Sequence, residues 1–153
     1  MPTNLIKSNI MKRIFIIDWC LIPLFLSTAF TGLELHIAGH GSNHEFWHIW
    51  ALAHTIASVL FTAFVTIHVK IHLGWYKSLF QNGLGRKSHV TAAVSLVSII
   101  LALTGYALLG VNGGGSGLGM WHYRIGLSAL VLFSGHIIKR LPVLRKSIKD
   151  KRA

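Results

Sequence analysis

The chain has very little cysteine and very little negative charge. A single cysteine, Cys20, excludes an intramolecular disulfide, a cysteine-ligated zinc or iron–sulfur site, and a Cys-x-x-Cys-His motif for a covalent haem. Only 4 of the 153 residues are Asp or Glu, and 12% are charged, against about 25% in an ordinary soluble domain. Hydrophobic residues make up 52% of the chain, so the composition indicates a small polytopic membrane protein.

Four windows meet the length of about 20 mostly apolar residues that a membrane-spanning helix needs. The first follows a basic start, but it is too long for a signal peptide and carries Asp18 and Glu34, so we interpret it as the first helix. The expected fold is an all-α membrane protein, a four-helix bundle in one domain of residues 1–153. The windows are Ile14 to Leu35, Trp50 to Leu73, Val90 to Leu109 and Trp121 to Leu141.

The net charge of +11 is distributed by side of the membrane. Of the fifteen Lys and Arg residues, only Arg124 falls on the face opposite to the others. This positive-inside pattern places both termini and the 74–89 connection in the cytoplasm, and it argues for anionic lipid headgroups rather than nucleic acid as the basic tail's partner. The glycine-rich stretch 113–119 fits no Gly-x-Gly-x-x-Gly frame and has no surrounding βαβ pattern, so we predict no nucleotide site there.

The two halves of the chain resemble each other weakly. Thr31-Gly32, late in the first helix, is echoed by Thr104-Gly105, late in the third, and the segment 68–73 is echoed by 136–141. Two helical hairpins related by an axis along the membrane normal would produce this repeat. Gly32 and Gly105 could leave room for a flat macrocyclic ligand against the helix backbone, although tight helix packing is the commoner reason for such glycines.

Four histidines form two matched pairs inside the apolar windows. His54 and His68 lie fourteen residues apart on the second helix, and His122 and His136 lie fourteen apart on the fourth. At about 100° per residue, fourteen residues fall roughly 40° short of four turns, so each pair faces one way with about 21 Å between its members. The two helices run in the same direction, which places His54 with His122 near the outer face and His68 with His136 near the cytoplasmic face.

Two opposed imidazoles at each level are the axial ligands of a six-coordinate haem, and the pattern therefore predicts two non-covalent b haems. A single intramembrane histidine would more often make an interhelical hydrogen bond, but four at matched spacing favour function. A zinc site would need three or four ligands converging at one point. A metal or proton transporter that uses the histidines without haem remains an alternative.

Other polar residues have two interpretations each. His72 aligns well with His54, but it would lie about 6 Å off the level of His136, so we interpret it as a propionate or quinone contact. His89 has an equal claim, and both would otherwise be solvated interfacial histidines. Asp18 could exchange protons at a quinone pocket or pair with a nearby Lys or Arg. Arg124, one turn from His122, is placed to pair with a propionate of the outer haem.

Histidines recur every four residues through the outer connection. They could bind a metal, pass protons, or meet a redox partner or quinone, although Gly39 and Gly41 argue against a regular helix there. Glu45 stands among them. The four are His36, His40, His44 and His48.

Given these residues, the chain resembles the bacterial four-helix di-haem cytochromes b, the broad cytochrome b-561 class, and within it the compact proteins long catalogued as a domain of unknown function. The resemblance covers nearly the whole chain, and its specific part is the set His54, His68, His122 and His136. It implies a protein of the bacterial cytoplasmic membrane that passes electrons between the quinone pool and a redox partner protein. A haem enzyme acting on superoxide or ferric iron at the outer face is the alternative.

Overall fold

The structure is a computed structural model, and it describes residues 2–41, 43–84, 89–111 and 117–149. These residues form helices and short connections, with no β-strand among them. The helices are α1 (Pro2–Ala38), α2 (His44–Ile71), α3 (Leu73–Asn82), α4 (His89–Gly110) and α5 (Gly117–Lys149).

Four of the described helices contain a segment long and apolar enough to cross a membrane. This confirms the predicted all-α class and the four helices with the length and composition of membrane spans. The helices extend beyond most predicted windows, since backbone hydrogen bonding continues into polar residues at both ends of a span. The segments are Ile14–Ala38, His44–Ile71, His89–Gly110 and Gly117–Lys146.

The connection between the second and third spans contains the helix α3, which the sequence analysis did not predict. The chain leaves α2 at His72, whose carbonyl accepts a hydrogen bond from the Trp75 amide at 2.9 Å. At the other end Gly83 adopts a φ of 73°, a left-handed conformation that favours glycine, and closes the helix. Tyr76 and Ser95 join their hydroxyls at 2.7 Å, which ties α3 to α4.

The turn between α1 and α2 begins at Gly39. This confirms that no single regular helix runs from His36 to His48. The side chain of Asn43 then accepts hydrogen bonds from the amides of Glu45 at 3.1 Å and Phe46 at 3.3 Å. This is the usual N-cap arrangement, and it starts α2 immediately after the turn.

The helices pack as two hairpins, α1 along α2 and α4 along α5, and α1 also contacts α5. In the described residues the backbones of α2 and α5 have no comparable extended approach. Aromatic side chains bridge these two helices instead, since the Phe61 and Phe133 ring centres lie 6.2 Å apart. Phe25 from α1 completes the cluster, 5.5 Å from Phe133 and 6.3 Å from Phe61.

Large apolar side chains cover the outside of the bundle. Val131, Ile138 and Leu103 are 73%, 69% and 66% exposed, while the small buried centre consists of Phe25, Ala129 and Phe133. A soluble protein rarely exposes so much contiguous apolar surface. Contact with lipid suits such a surface.

Ala129 is the most buried of these central residues, with 2% exposure. We expect Ala129→Leu to force the phenylalanine cluster apart and to lower stability by about 1–3 kcal/mol, because a packed core does not accept added methyl groups without strain. Thermal unfolding in detergent, followed by circular dichroism, measures the change. Val131→Leu, two residues away and 73% exposed, is the matched control and should leave the transition unchanged.

Candidate functional site

The outer pair of histidines is anchored to neighbouring helices through their Nδ1 atoms. His54 Nδ1 lies 3.1 Å from the Thr28 carbonyl oxygen and 3.3 Å from the Thr31 hydroxyl, both on α1. His122 Nδ1 lies 2.7 Å from the Thr104 hydroxyl on α4. Each imidazole is therefore held by the other helix of its own hairpin.

The threonines determine which imidazole nitrogen carries the proton. Thr31 donates its hydroxyl proton to the Ser27 carbonyl and Thr104 donates to the Ile100 carbonyl, each at 2.8 Å. With that proton used, each hydroxyl can only accept from a histidine Nδ1–H. On this hydrogen-bond pattern we assign the proton of each histidine to Nδ1 and the lone pair to Nε2, the nitrogen that could bind a metal.

The echoed glycines make room for these rings. A Cβ atom on Gly32 would stand 2.9 Å from His54 Cε1 and 3.2 Å from its Nδ1. A Cβ atom on Gly105 would stand 3.3 Å from His122 Cε1. The Thr-Gly repeat therefore has a local meaning in both hairpins, since the threonine bonds the imidazole and the glycine accommodates it.

The two outer imidazoles, one from α2 and one from α5, form an edge-to-face ring contact. Their ring centres lie 6.3 Å apart, with the ring planes at 74°. Two imidazoles bound on opposite sides of one metal ion, at bonds of about 2 Å, have ring centres about 6 Å apart. The spacing and the available nitrogens both fit a group that takes two axial histidines. Ser58 Oγ lies 3.4 Å from His54 Nε2 and is the present neighbour of that nitrogen.

At the inner level, Asp18 is the partner of His68. One carboxylate oxygen accepts a hydrogen bond from His68 Nδ1 at 2.7 Å, and the two side chains are 21% and 31% exposed, respectively. The sequence analysis expected a Lys or Arg partner for Asp18 as one alternative, and among the described side chains the ion-pair partner is His68. The bond again leaves Nε2 of the histidine for coordination, in the carboxylate–histidine arrangement common at metal sites.

His72 lies beside His68, with ring centres 4.6 Å apart. The ligand atoms of Asp18, His68 and His72 all lie within 4.8 Å of one another, the one such group in the described part of the chain. His136 interacts electrostatically with His68 and Asp18, but the imidazole that contacts the ring of His68 is that of His72. The inner ligand pair His68 and His136 therefore stays a prediction.

His72 lies just beyond the end of the second span. Partial burial lowers its pKa, and the neighbouring His68 and Arg140 act in the same direction, while the carboxylate of Asp18 opposes them. The imidazole of His72 is accordingly neutral at physiological pH, which leaves it able to accept a hydrogen bond or to bind a cation.

The four histidines of the connection between α1 and α2 form two separate pairs. His36 and His40 have ring centres 4.7 Å apart, and His44 and His48 have ring centres 5.5 Å apart. His36 also stacks on Tyr123, the neighbour of His122, at 3.6 Å and 12°. Within the described residues they form no cluster of three metal-ligating atoms.

Two further predicted residues have their positions in the structure. Arg124 is exposed and lies over the Trp121 ring, 5.6 Å from its centre, in the first turns of α5. His89 is the first residue of α4. Neither position tests the propionate and quinone contacts proposed for them.

Comparison with protein-family models, curated proteins and solved structures finds no match to this chain. The resemblance to di-haem cytochromes b therefore stays a prediction, and it depends on the residues themselves.

Replacing Gly32 by Ala tests the contact between this glycine and His54. Because the new methyl group would overlap the ring, we expect it to displace His54, break its bond to Thr31 and lower stability by about 1–3 kcal/mol. Thermal unfolding in detergent is the measurement. Gly135→Ala on α5, where a Cβ atom would meet nothing within 4 Å, is the control and should be neutral or stabilising. Equal effects of both changes would contradict the proposed contact.

Proposed function

We propose that the chain is a di-haem cytochrome b that carries electrons across a membrane. The observation that supports this most directly is the outer pair: two imidazoles with Nδ1 protonated and bonded, Nε2 left for a metal, and ring centres 6.3 Å apart. Electron transfer through a fixed pair of such sites needs no moving part of the protein.

His54 and His122 would hold the outer haem, and His68 and His136 the inner one. When bound, each haem would supply a one-electron iron couple. Binding is non-covalent, because the chain's only cysteine cannot form the attachment motif.

The rest of the described residues orient and insulate these ligands. Thr31, Thr104 and Asp18 keep Nδ1 protonated and limit the rotation of each ring. Phe61 follows His54 by seven residues and precedes His68 by seven, so the phenylalanine cluster lies between the two levels. It excludes water there and helps to hold α2 and α5 at a constant separation.

The charge distribution and the resemblance to cytochromes b support the proposed membrane orientation and the proposed redox partners. The basic residues favour cytoplasmic termini, and the resemblance favours the bacterial cytoplasmic membrane. Quinone or quinol would react at one face and a redox partner protein at the other, while Arg124 would pair with an outer propionate. His72 and His89 would contact quinone or an inner propionate.

A second candidate depends on a different observation, the cluster of Asp18, His68 and His72. These three residues could bind a divalent metal ion directly, and the protein would then transport or sense a metal without haem. The nearby Arg140 acts against this reading, since its positive charge disfavours a cation at the same place.

The visible spectrum of the purified protein separates the two candidates, with haem measured by extraction and metals by elemental analysis. We expect two extractable b haems per chain, low-spin in both redox states. His54→Ala or His122→Ala should remove one haem and His68→Ala or His136→Ala the other, whereas His72→Ala should leave both. His44→Ala, at an exposed position, is the control. A colourless protein with stoichiometric zinc or another divalent metal would refute the haem proposal.

Reduction by a quinol analogue locates the quinone pocket. Quinone chemistry couples electrons to protons and needs titratable groups within hydrogen-bond reach. We expect substitution of His72 and His89 to slow haem reduction at the inner face, and substitution of His36 and His48 to leave its rate unchanged. The opposite result, measured by stopped-flow absorbance, would move the pocket to the outer face.

A further inference from the structure

We propose that Asp18 is a positioning residue that lowers the reduction potential of the inner haem through His68. This inference depends on the proposed function, because it assigns Asp18 an effect on a haem that His68 would bind. Asp18 itself would not contact the iron.

The contact between the two side chains is short and partly shielded from water. Asp18 is on α1 and His68 on α2, fifty residues apart in sequence, and 2.7 Å separates carboxylate oxygen and Nδ1. Hydrogen bonds that involve an ionised group are shorter and about twice as strong as neutral ones, and the half-buried position strengthens them further.

His54 and His122 differ from His68 in the charge of the groups to which they are hydrogen-bonded. Neutral groups bond both of them, a carbonyl and a hydroxyl at His54 and a hydroxyl at His122. Only His68, among these three, donates to a group with a full negative charge. One chain therefore presents both kinds of axial ligand, which makes the outer level an internal reference for the inner level.

A carboxylate on Nδ1–H increases the electron density and basicity of the imidazole. A more basic axial ligand stabilises ferric iron more than ferrous iron, and the reduction potential falls. Cations nearby act in the opposite direction: Arg140 and Lys139 interact with His136 from α5. Asp18 would thus offset these cations, and its own contribution would favour electron transfer from the inner haem to the outer one.

The test is a redox titration of the full-length protein, with the two haems resolved by their spectra. Asp18→Asn keeps an oxygen that can accept the hydrogen bond but removes the charge. We expect the inner midpoint to rise by at least 59 mV, which is a tenfold change in the one-electron equilibrium constant. The outer midpoint should stay constant. Asp18→Glu, which retains the charge, should remain close to the wild type.

Glu45→Gln is the matched control, because it also neutralises a carboxylate but at an exposed position of α2, and it should move neither midpoint. Electron paramagnetic resonance of the ferric protein gives a second measurement, in which only the inner signal should shift in Asp18→Asn. Loss of the inner haem from Asp18→Asn but not from Asp18→Glu would also support a requirement for the charge.

Two results overturn the inference while the proposed function stands. One is an unchanged inner midpoint in Asp18→Asn with both haems present. The other is loss of the inner haem from both variants, because restoring the carboxylate would then not restore its effect. A wild-type protein without haem would instead refute the proposed function, and this inference with it.

Discussion

Hydrogen bonding of imidazoles within apolar helices is the constraint on which much of this structure depends. A polar group without a partner in hydrocarbon costs several kcal/mol, so each intramembrane histidine favours a helix arrangement that supplies an acceptor. α1 supplies acceptors at two depths, Thr28 and Thr31 for His54 and Asp18 for His68. α4 supplies Thr104 for His122. The bonds that satisfy the rings also hold the helices of each hairpin in register and leave Nε2 for coordination.

The same rings explain the spacing of the helices. Gly32 and Gly105 remove the side chains that would push α1 and α4 away from the imidazoles, so each hairpin can pack closely. Between the hairpins the contacts are made by whole aromatic rings, His54 with His122 and Phe61 with Phe133, which keep the α2 and α5 backbones apart. The helices of each hairpin therefore pack closely, whereas aromatic rings separate α2 from α5.

Hydropathy predicted the four apolar helices because length and composition alone decide whether a segment can span a membrane. It could not predict α3, because this helix has only ten residues. Its end depends on Gly83, and its position depends on a contact with α4. The Thr-Gly repeat was visible in the sequence, but its contact with the histidines depends on the register between two helices. Spacing likewise could not show that Asp18 bonds His68, or that the ring of His72 packs beside His68.

The two levels differ in how they balance charge, and this bears on what each can bind. At the outer level the partners of His54 and His122 are neutral. A group bound there would have to be neutral overall or to pair with Arg124. At the inner level Asp18 bonds His68 and acts electrostatically on His72 and His136, and the positive charge of Arg140 acts on the same two histidines. An acidic residue is costly inside a membrane unless paired, and the pairing with His68 explains how Asp18 is tolerated in α1. His68 is also a proposed metal ligand. The same hydrogen bond therefore stabilises the charge of Asp18 within the membrane and sets the basicity of the imidazole at the inner site.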